Sequence, residues 1–234
     1  MAVQTVFKRY ELKYLLTMAQ KETVLKAMQP YMTLDKYGKT TIRNLYYDTD
    51  TYLLIRRSIE KPAYKEKLRI RSYSRIDADS TAFVELKKKY KSVVYKRRIS
   101  LPYTDATAWL SREKHPAKHT QIANEIDYFL DYYGSLHPTV FLSYEREAYY
   151  ANNGSDFRVT FDDNILCRQE DLSLESEVGG TPILDDNTVL MEIKCAGGIP
   201  LWMTQILSQE HIYKTSFSKY GTAYQKFIFP QLKG

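Results

Sequence analysis

Apolar and polar residues alternate with a period of two over much of this chain, which marks strands with one buried and one polar face. Val6 to Tyr14 places Tyr10, Leu12 and Tyr14 on one face and Arg9, Glu11 and Lys13 on the other. Tyr64 to Tyr73 sets Leu68 and Ile70 against Lys65, Lys67, Arg69 and Arg71. Ala82 to Tyr90 sets Val84 and Leu86 against Glu85, Lys87 and Lys89. Ile42 to Asp48, Val93 to Leu101, Thr139 to Tyr150, Phe157 to Asp162 and Thr188 to Cys195 complete about eight strands, the last opposing Met191 and Ile193 to Glu192 and Lys194. Helical signals are fewer. Thr17 with Gln20 forms a capping box that opens a helix to about Gln29, before Pro30. Ile122, Ile126, Phe129, Leu130 and Tyr133 make a stripe of period 3.6 that ends at Gly134, a C′ glycine. Pro200, after Gly197-Gly198, opens a short helix through Gln209, and a last helix begins near Ser218. The class is α+β: an antiparallel sheet or barrel with peripheral helices. Gly179-Gly180-Thr181-Pro182 and Asp185-Asp186-Asn187 read as surface loop. No repeat or Pro/Ser-rich linker divides the chain, so residues 1–234 form one expected domain.

Composition narrows this picture. Of 234 residues 44% are hydrophobic, which allows a packed core. No apolar run approaches the roughly 18 residues that cross a bilayer, and Lys8, Arg9, Glu11 and Lys13 near the start leave no signal-peptide core. A cytoplasmic location is the expectation. The net charge of +6 is unevenly placed: Arg56 to Arg98 holds 15 basic and 5 acidic residues, and the rest of the chain is slightly acidic. One basic segment on an otherwise acidic chain points to an anionic ligand rather than to a generally sticky surface.

On a single strand, a charged face opposite an apolar one is ordinary solvent exposure. The set is less ordinary. If neighbours pair, the lysines and arginines of Tyr64–Tyr73 face Lys87 and Lys89, and like charges opposite each other destabilise a sheet. A bound polyanion turns that repulsion into use, because phosphate oxygens accept charge-assisted hydrogen bonds from Arg and Lys. The interspersed Glu11, Glu85 and Glu192 then suggest a divalent metal, since hard cations take carboxylate oxygens and bridge phosphates. Eight such strands can close into a barrel whose charged faces point inward and whose apolar faces meet the helices.

Several stretches resemble the VTC domain, the polyphosphate polymerase branch of the triphosphate tunnel metalloenzymes. They are Arg9-Tyr10-Glu11-Leu12-Lys13-Tyr14, Asn44-Leu45-Tyr46-Tyr47-Asp48-Thr49, Leu68-Arg69-Ile70-Arg71 and Val84-Glu85-Leu86-Lys87. Tyr144 to Tyr149, Arg158 to Asp162, Met191 to Lys194 and Lys214 to Tyr220 continue the series in family order. The resemblance implies an eight-stranded antiparallel barrel in which Lys13, Arg69, Arg71, Lys87, Arg146 and Lys194 line a tunnel and stabilise the transferring phosphoryl group. It also implies that Lys214 and Lys219 bind phosphate, with Arg9, Lys67, Lys89 and Arg158 extending the basic lining. Glu192 then resembles the ligand of Mn²⁺ or Mg²⁺, while Glu11 and Glu85 assist the metal or balance nearby cations. Asp162 is either lumenal or a turn residue. The expected activity is transfer of the ATP γ-phosphate to a growing polyphosphate chain.

Two alternatives share that lining: a tunnel triphosphatase, and a non-catalytic polyphosphate-binding module. The CYTH-type triphosphatases open with Glu-x-Glu-x-Lys, whereas this chain has Arg9-x-Glu11-x-Lys13, one carboxylate fewer. Nucleic acid is not an expected partner, because most strand aromatics alternate away from the Lys/Arg face and RNA is held by stacking. Eukaryotic members of the family sit in membrane complexes; any such coupling would need a separate partner chain. His115, His119, His137 and His211 show no metal-ligand spacing, and Cys167 and Cys195 read as packing residues. The 21 tyrosines read mainly as strand-face residues with wet hydroxyls.

Overall fold

The structure, a computed structural model, describes residues 10–91, 93–116 and 120–232. All eight expected strands form, the first seen from Tyr10 because Val6 to Arg9 lie outside the described residues: β1 (Tyr10–Thr17), β3 (Thr40–Asp48), β4 (Tyr64–Ser72), β5 (Thr81–Tyr90), β6 (Val93–Pro102), β7 (His137–Ala151), β8 (Arg158–Arg168) and β10 (Thr188–Cys195). Three short ones join them, β2 (Met32–Leu34), β9 (Thr181–Pro182) and β11 (Lys214–Thr215). All belong to one antiparallel sheet in the order β11-β1-β10-β8-β7-β3-β4-β5-β6, with β2 added to β7 and β9 to β8. The N-terminal β1 pairs with the late β10, from Tyr10↔Cys195 to Thr17↔Thr188. The sheet curls until Lys87 of β5 touches Glu11 of β1 at 2.8 Å. Closure is therefore by side chains: among the described residues no backbone pairing joins β6 to β1 or β11.

Alternation decides what each face meets. On the convex side Leu68, Ile70, Val84, Leu86 and Phe141 pack under α3 (Tyr103–Leu110) and α4 (Gln121–Tyr133). Val159, Phe161, Met191 and Ile193 pack under α1 (Met18–Met28) and α5 (Leu201–Gln209). The Thr17–Gln20 capping box forms as expected, and Gly134 closes α4 at φ +71°. A third cluster lies on the concave side. Leu142, Ile165 and Leu190 share the face of Tyr144, Asp162 and Glu192, and pack against Tyr220, Tyr224 and Ile228 of the C-terminal segment. That segment comprises α6 (Lys219–Ala223), a π-helix (Tyr224–Ile228) and α7 (Phe229–Gln231), and its Tyr220, Tyr224 and Ile228 fill this end of the concave face.

Three features depart from the sequence reading. Thr181–Pro182 is not free loop but pairs with Cys167 and Leu166, and Gly180 makes this approach possible. Gly180 has φ +130°, and a Cβ there would stand 2.3 Å from the Cys167 carbonyl oxygen. The strand run ending near Leu101 turns directly into α3, which has no side-chain cap to betray it. The other unanticipated helix, α2 (Leu53–Ile59), is capped from the end of β3. The fully buried Asp48 carboxylate accepts from Thr49 N, Leu54 N, Ile55 N and the Tyr220 hydroxyl, at 2.8–3.0 Å. Asp48→Ala orphans these donors, and a loss of about 2–3 kcal/mol in denaturant unfolding is expected.

Candidate functional site

The concave face carries two carboxylate nodes, each wrapped in cations. In the first, Asp162 (β8) accepts from Arg146 (β7) through both oxygens, at 2.6 and 2.7 Å. Lys219 (α6) reaches Asp162 at 2.5 Å. Glu192 (β10) lies beside this pair, with Lys13, Lys219, Arg146 and Lys194 at 3.3, 3.5, 3.6 and 3.7 Å. In the second node Glu85 (β5), 1% exposed, accepts from Arg69 at 2.7 and 2.9 Å, from Lys96 at 2.6 Å and from Arg98 through Nε at 2.7 Å. Tyrosines connect the two. Arg71 donates to the hydroxyl of Tyr144 at 3.0 Å and to Asn44, while the Tyr144 ring lies under Arg146 and Lys219. Arg69 donates to the Tyr46 hydroxyl at 2.9 Å.

Between the nodes lies positive charge with little to balance it. The β4–β5 register sets Lys65 opposite Lys89 and Lys67 opposite Lys87, the like-charge pairing that the alternation implied. Lys87 has Glu11, but among the described residues Lys67 reaches only the Ser218 hydroxyl, at 2.8 Å, and Lys65 only the Ser58 carbonyl, at 3.1 Å.

Most residues expected from sequence meet here: Glu11, Lys13, Lys65, Lys67, Arg69, Arg71, Glu85, Lys87, Lys89, Arg146, Glu192, Lys194 and Lys219. Arg158 stands at the rim opposite Lys194, over the ring of Tyr150 at 4.6 Å. Lys214 does not join them. It pairs with Tyr14, whose ring is buried in the convex cluster, so the register turns Lys214 to the outside. Arg9 lies outside the described residues. The sequence reading left Asp162 open and missed Lys96, Arg98, Asn44, Tyr46 and Tyr144. Most strand aromatics were expected to alternate away from the charged face; Tyr46 and Tyr144 are exceptions that lie on it, and each ring is covered by cations and so is not free to stack on a base.

The electrostatics follow from these contacts. Burial raises the proton affinity of Glu11, but Lys87 and Lys194 more than reverse this and bring its pKa to about 2. Burial likewise works against Glu85, Asp162 and Glu192, and their surrounding cations hold all three below the ordinary carboxylate range. The lysines feel the opposite side of the balance. Burial, then the charges of Lys13, Lys87 and Lys65, drive Lys67 well below its ordinary value. Burial also lowers Lys13, Lys65 and Lys194, and Lys96 falls to about 7 despite Glu85. An arriving polyanion raises these values again. Tripolyphosphate binding near pH 8 is therefore expected to take up protons, seen in calorimetry as a binding heat that scales with buffer ionisation enthalpy; proton release would refute this account of the lumen.

Among the described residues no three His, Cys, Asp or Glu side chains converge to cage a metal. The three carboxylates differ in what they offer. Glu85 and Asp162 already accept short hydrogen bonds, whereas the nearest cation to Glu192 is Lys13 at 3.3 Å. Glu192 thus has lone pairs free for a hard cation that draws its other ligands from phosphate and water.

A curled antiparallel sheet with a cationic, carboxylate-studded concave face defines a protein of the tunnel-fold class. The VTC domain profile matches residues 8–228, and the chain belongs to that family. Its fold is similar to that of a candidate adenylate cyclase from Bacillus halodurans, at 16% identity and TM-score 0.56, covering 94% of this chain and 98% of that one. It is also similar to an adenylyl cyclase candidate from Hippeastrum described as having a dominant triphosphatase activity, at 15% identity and TM-score 0.51, covering 93% of this chain and 95% of that one. At such identities the likeness is one of fold. No curated protein sequence matches the chain. No helix among the described residues is long and apolar enough to cross a membrane.

Proposed function

We propose that this protein is a polyphosphate polymerase that transfers the γ-phosphate of ATP to the end of a phosphate chain. The observation that carries the reading is the surplus of cations on the concave face, above all Lys67, which has no carboxylate partner among the described residues and which a polyphosphate would neutralise. The terminal oxygen of the chain attacks the γ-phosphorus, the bond to the β–γ bridging oxygen breaks, and ADP leaves with that electron pair. Arg69, Arg71, Lys87, Arg146, Lys194 and Lys219 neutralise charge on the three phosphoryl oxygens, the main task in this chemistry. Glu192 would hold a Mn²⁺ or Mg²⁺ ion, which would supply Lewis-acid neutralisation of phosphate charge. We read Glu85 as the organiser of Arg69, Lys96 and Arg98 rather than as a metal ligand, and Glu11 as the partner of Lys87.

The choice of acceptor also follows from charge. Glu11, Glu85, Asp162 and Glu192 are all held ionised by cations, and such groups are poor general bases for water. A phosphate oxyanion needs no base. The filled end favours a second reading, hydrolysis of short triphosphates, because it limits the depth available to a chain. Incubation with ATP, Mn²⁺ and a pyrophosphate primer, resolved on a gel, separates the two. Long chains that vanish in Glu192→Ala support the polymerase. Phosphate release without chains supports the triphosphatase, and tight polyphosphate binding with no turnover leaves a binding module.

A further inference from the structure

The sheet surrounds the lumen without being sewn shut. β6 pairs with β5 along one side, and among the described residues no strand pairs with its other side. Across the gap β1 pairs fully with β10, while its outer side meets β11 only at Lys13 and Tyr14. Among the described residues side chains span this side instead: Lys87 of β5 reaches Glu11 of β1, and Lys67 of β4 reaches Ser218, just beyond β11. The cations near it are wetter than those deep in the two carboxylate nodes. Lys96, Lys87 and Arg98 keep 41%, 37% and 33% of their side-chain exposure, against 14% for Arg146 and 7% for Arg71. One end of the lumen, by contrast, is filled by Tyr220, Tyr224 and Ile228 against Leu142, Ile165 and Leu190.

We propose that a linear polyanion enters sideways through the β1–β6 seam, with the Glu11–Lys87 pair as its latch, rather than end first. The pair is reached by solvent, with 37% of the Lys87 and 24% of the Glu11 side chain exposed, so salt screens it and a competing anion can approach it. A phosphate oxygen offers Lys87 the same charge-assisted hydrogen bond that Glu11 does, so the incoming chain displaces the latch as it binds. Lys96 and Arg98, at the edge of the seam, meet the chain first and pass it inward to Arg69 and Arg71. A filled end is then no obstacle to a long chain. The inference rests on the phosphate-chain reading above and adds that neither end of the chain must be free.

The test uses long linear polyphosphate carrying a biotin amide on both terminal phosphates, each capped with streptavidin, too wide to pass along the lumen. Sideways entry predicts that the doubly capped chain binds within about threefold of the free chain and is displaced by tripolyphosphate. Glu11→Gln is expected to raise its association rate. A doubly capped chain that loses more than about tenfold in affinity, while the singly capped chain binds like the free one, overturns sideways entry. So does binding that tripolyphosphate cannot displace, because the chain would then lie on the outer surface. Failure of the free chain to bind overturns the phosphate-chain reading itself, and that outcome is distinct from the other two.

Discussion

Glu85→Gln is expected to destabilise the ligand-free protein by about 3 kcal/mol, and tripolyphosphate is expected to restore most of that loss. Glu85 is 1% exposed and is the carboxylate against which Arg69, Lys96 and Arg98 are all set, with Arg71 at 3.9 Å. Removing one member of a buried ionic cluster leaves the others uncompensated, typically at about 3–5 kcal/mol. Lys96 and Arg98 are partly wet, which places this case at the low end. The sign with pH is fixed by the lowered pKa of Glu85. Its contribution is full above the ordinary carboxylate range and is lost as acid protonates it, so the variant and the parent converge at low pH. A merely structural glutamate would not respond to phosphate. Denaturant unfolding with and without tripolyphosphate measures this; equal stabilisation of the parent and the variant would sink the assignment.

Lys67→Met is expected to move stability and activity in opposite directions. Lys67 is half-buried among Lys13, Lys65, Lys87 and Arg69 and reaches no carboxylate among the described residues, so the folded protein holds its charge at a loss. Methionine keeps the side-chain volume and removes the charge, for a gain of about 1–2 kcal/mol in the absence of ligand. In the unfolded chain the lysine titrates near 10.5, and in the folded protein well below that. The folded form therefore binds fewer protons over that range, and the penalty is full below the folded value. The advantage of Lys67→Met shrinks as pH rises toward 10.5. Loss of a phosphate donor is expected to lower kcat/KM for the phosphoryl transfer by about 10²-fold. A variant that is both less stable and fully active would show that Lys67 is a structural residue.

Particular residues show why the sequence revealed some of this and concealed the rest. Leu68 and Ile70 against Lys65, Lys67, Arg69 and Arg71 are legible because period-two alternation is a property of one strand, and burial acts on it directly. The Thr17–Gln20 box is equally local. Lys96 and Arg98 were hidden in the run Lys96-Arg97-Arg98, where the outward Arg97 is as basic as its neighbours and pairs with Glu125 on α4. Tyr46 and Tyr144 were concealed by chemistry, since tyrosine suits an apolar wall and a polar lumen equally well. Lys214 followed the order of the family motifs, but facing is set by register, and pairing with Tyr14 sends its side chain outward. α2 escaped because its cap comes from Asp48, which lies outside the helix's own sequence.

The pairing of β1 with β10 has a consequence for synthesis. Tyr10 must wait for Cys195, and the first carboxylate node is incomplete until Lys219 arrives on α6. Contacts of this range fold slowly, because the loop must close before the contacts reward it. A nascent chain emerging from the ribosome thus presents its basic β4 and β5 long before the lumen exists to shelter them. Their apolar faces settle early against α3 and α4, which are close in sequence, while Lys65, Lys67 and Lys87 stay in water. The cationic concavity is complete only when α6 docks, so polyphosphate binding is expected to report on docking of that late segment.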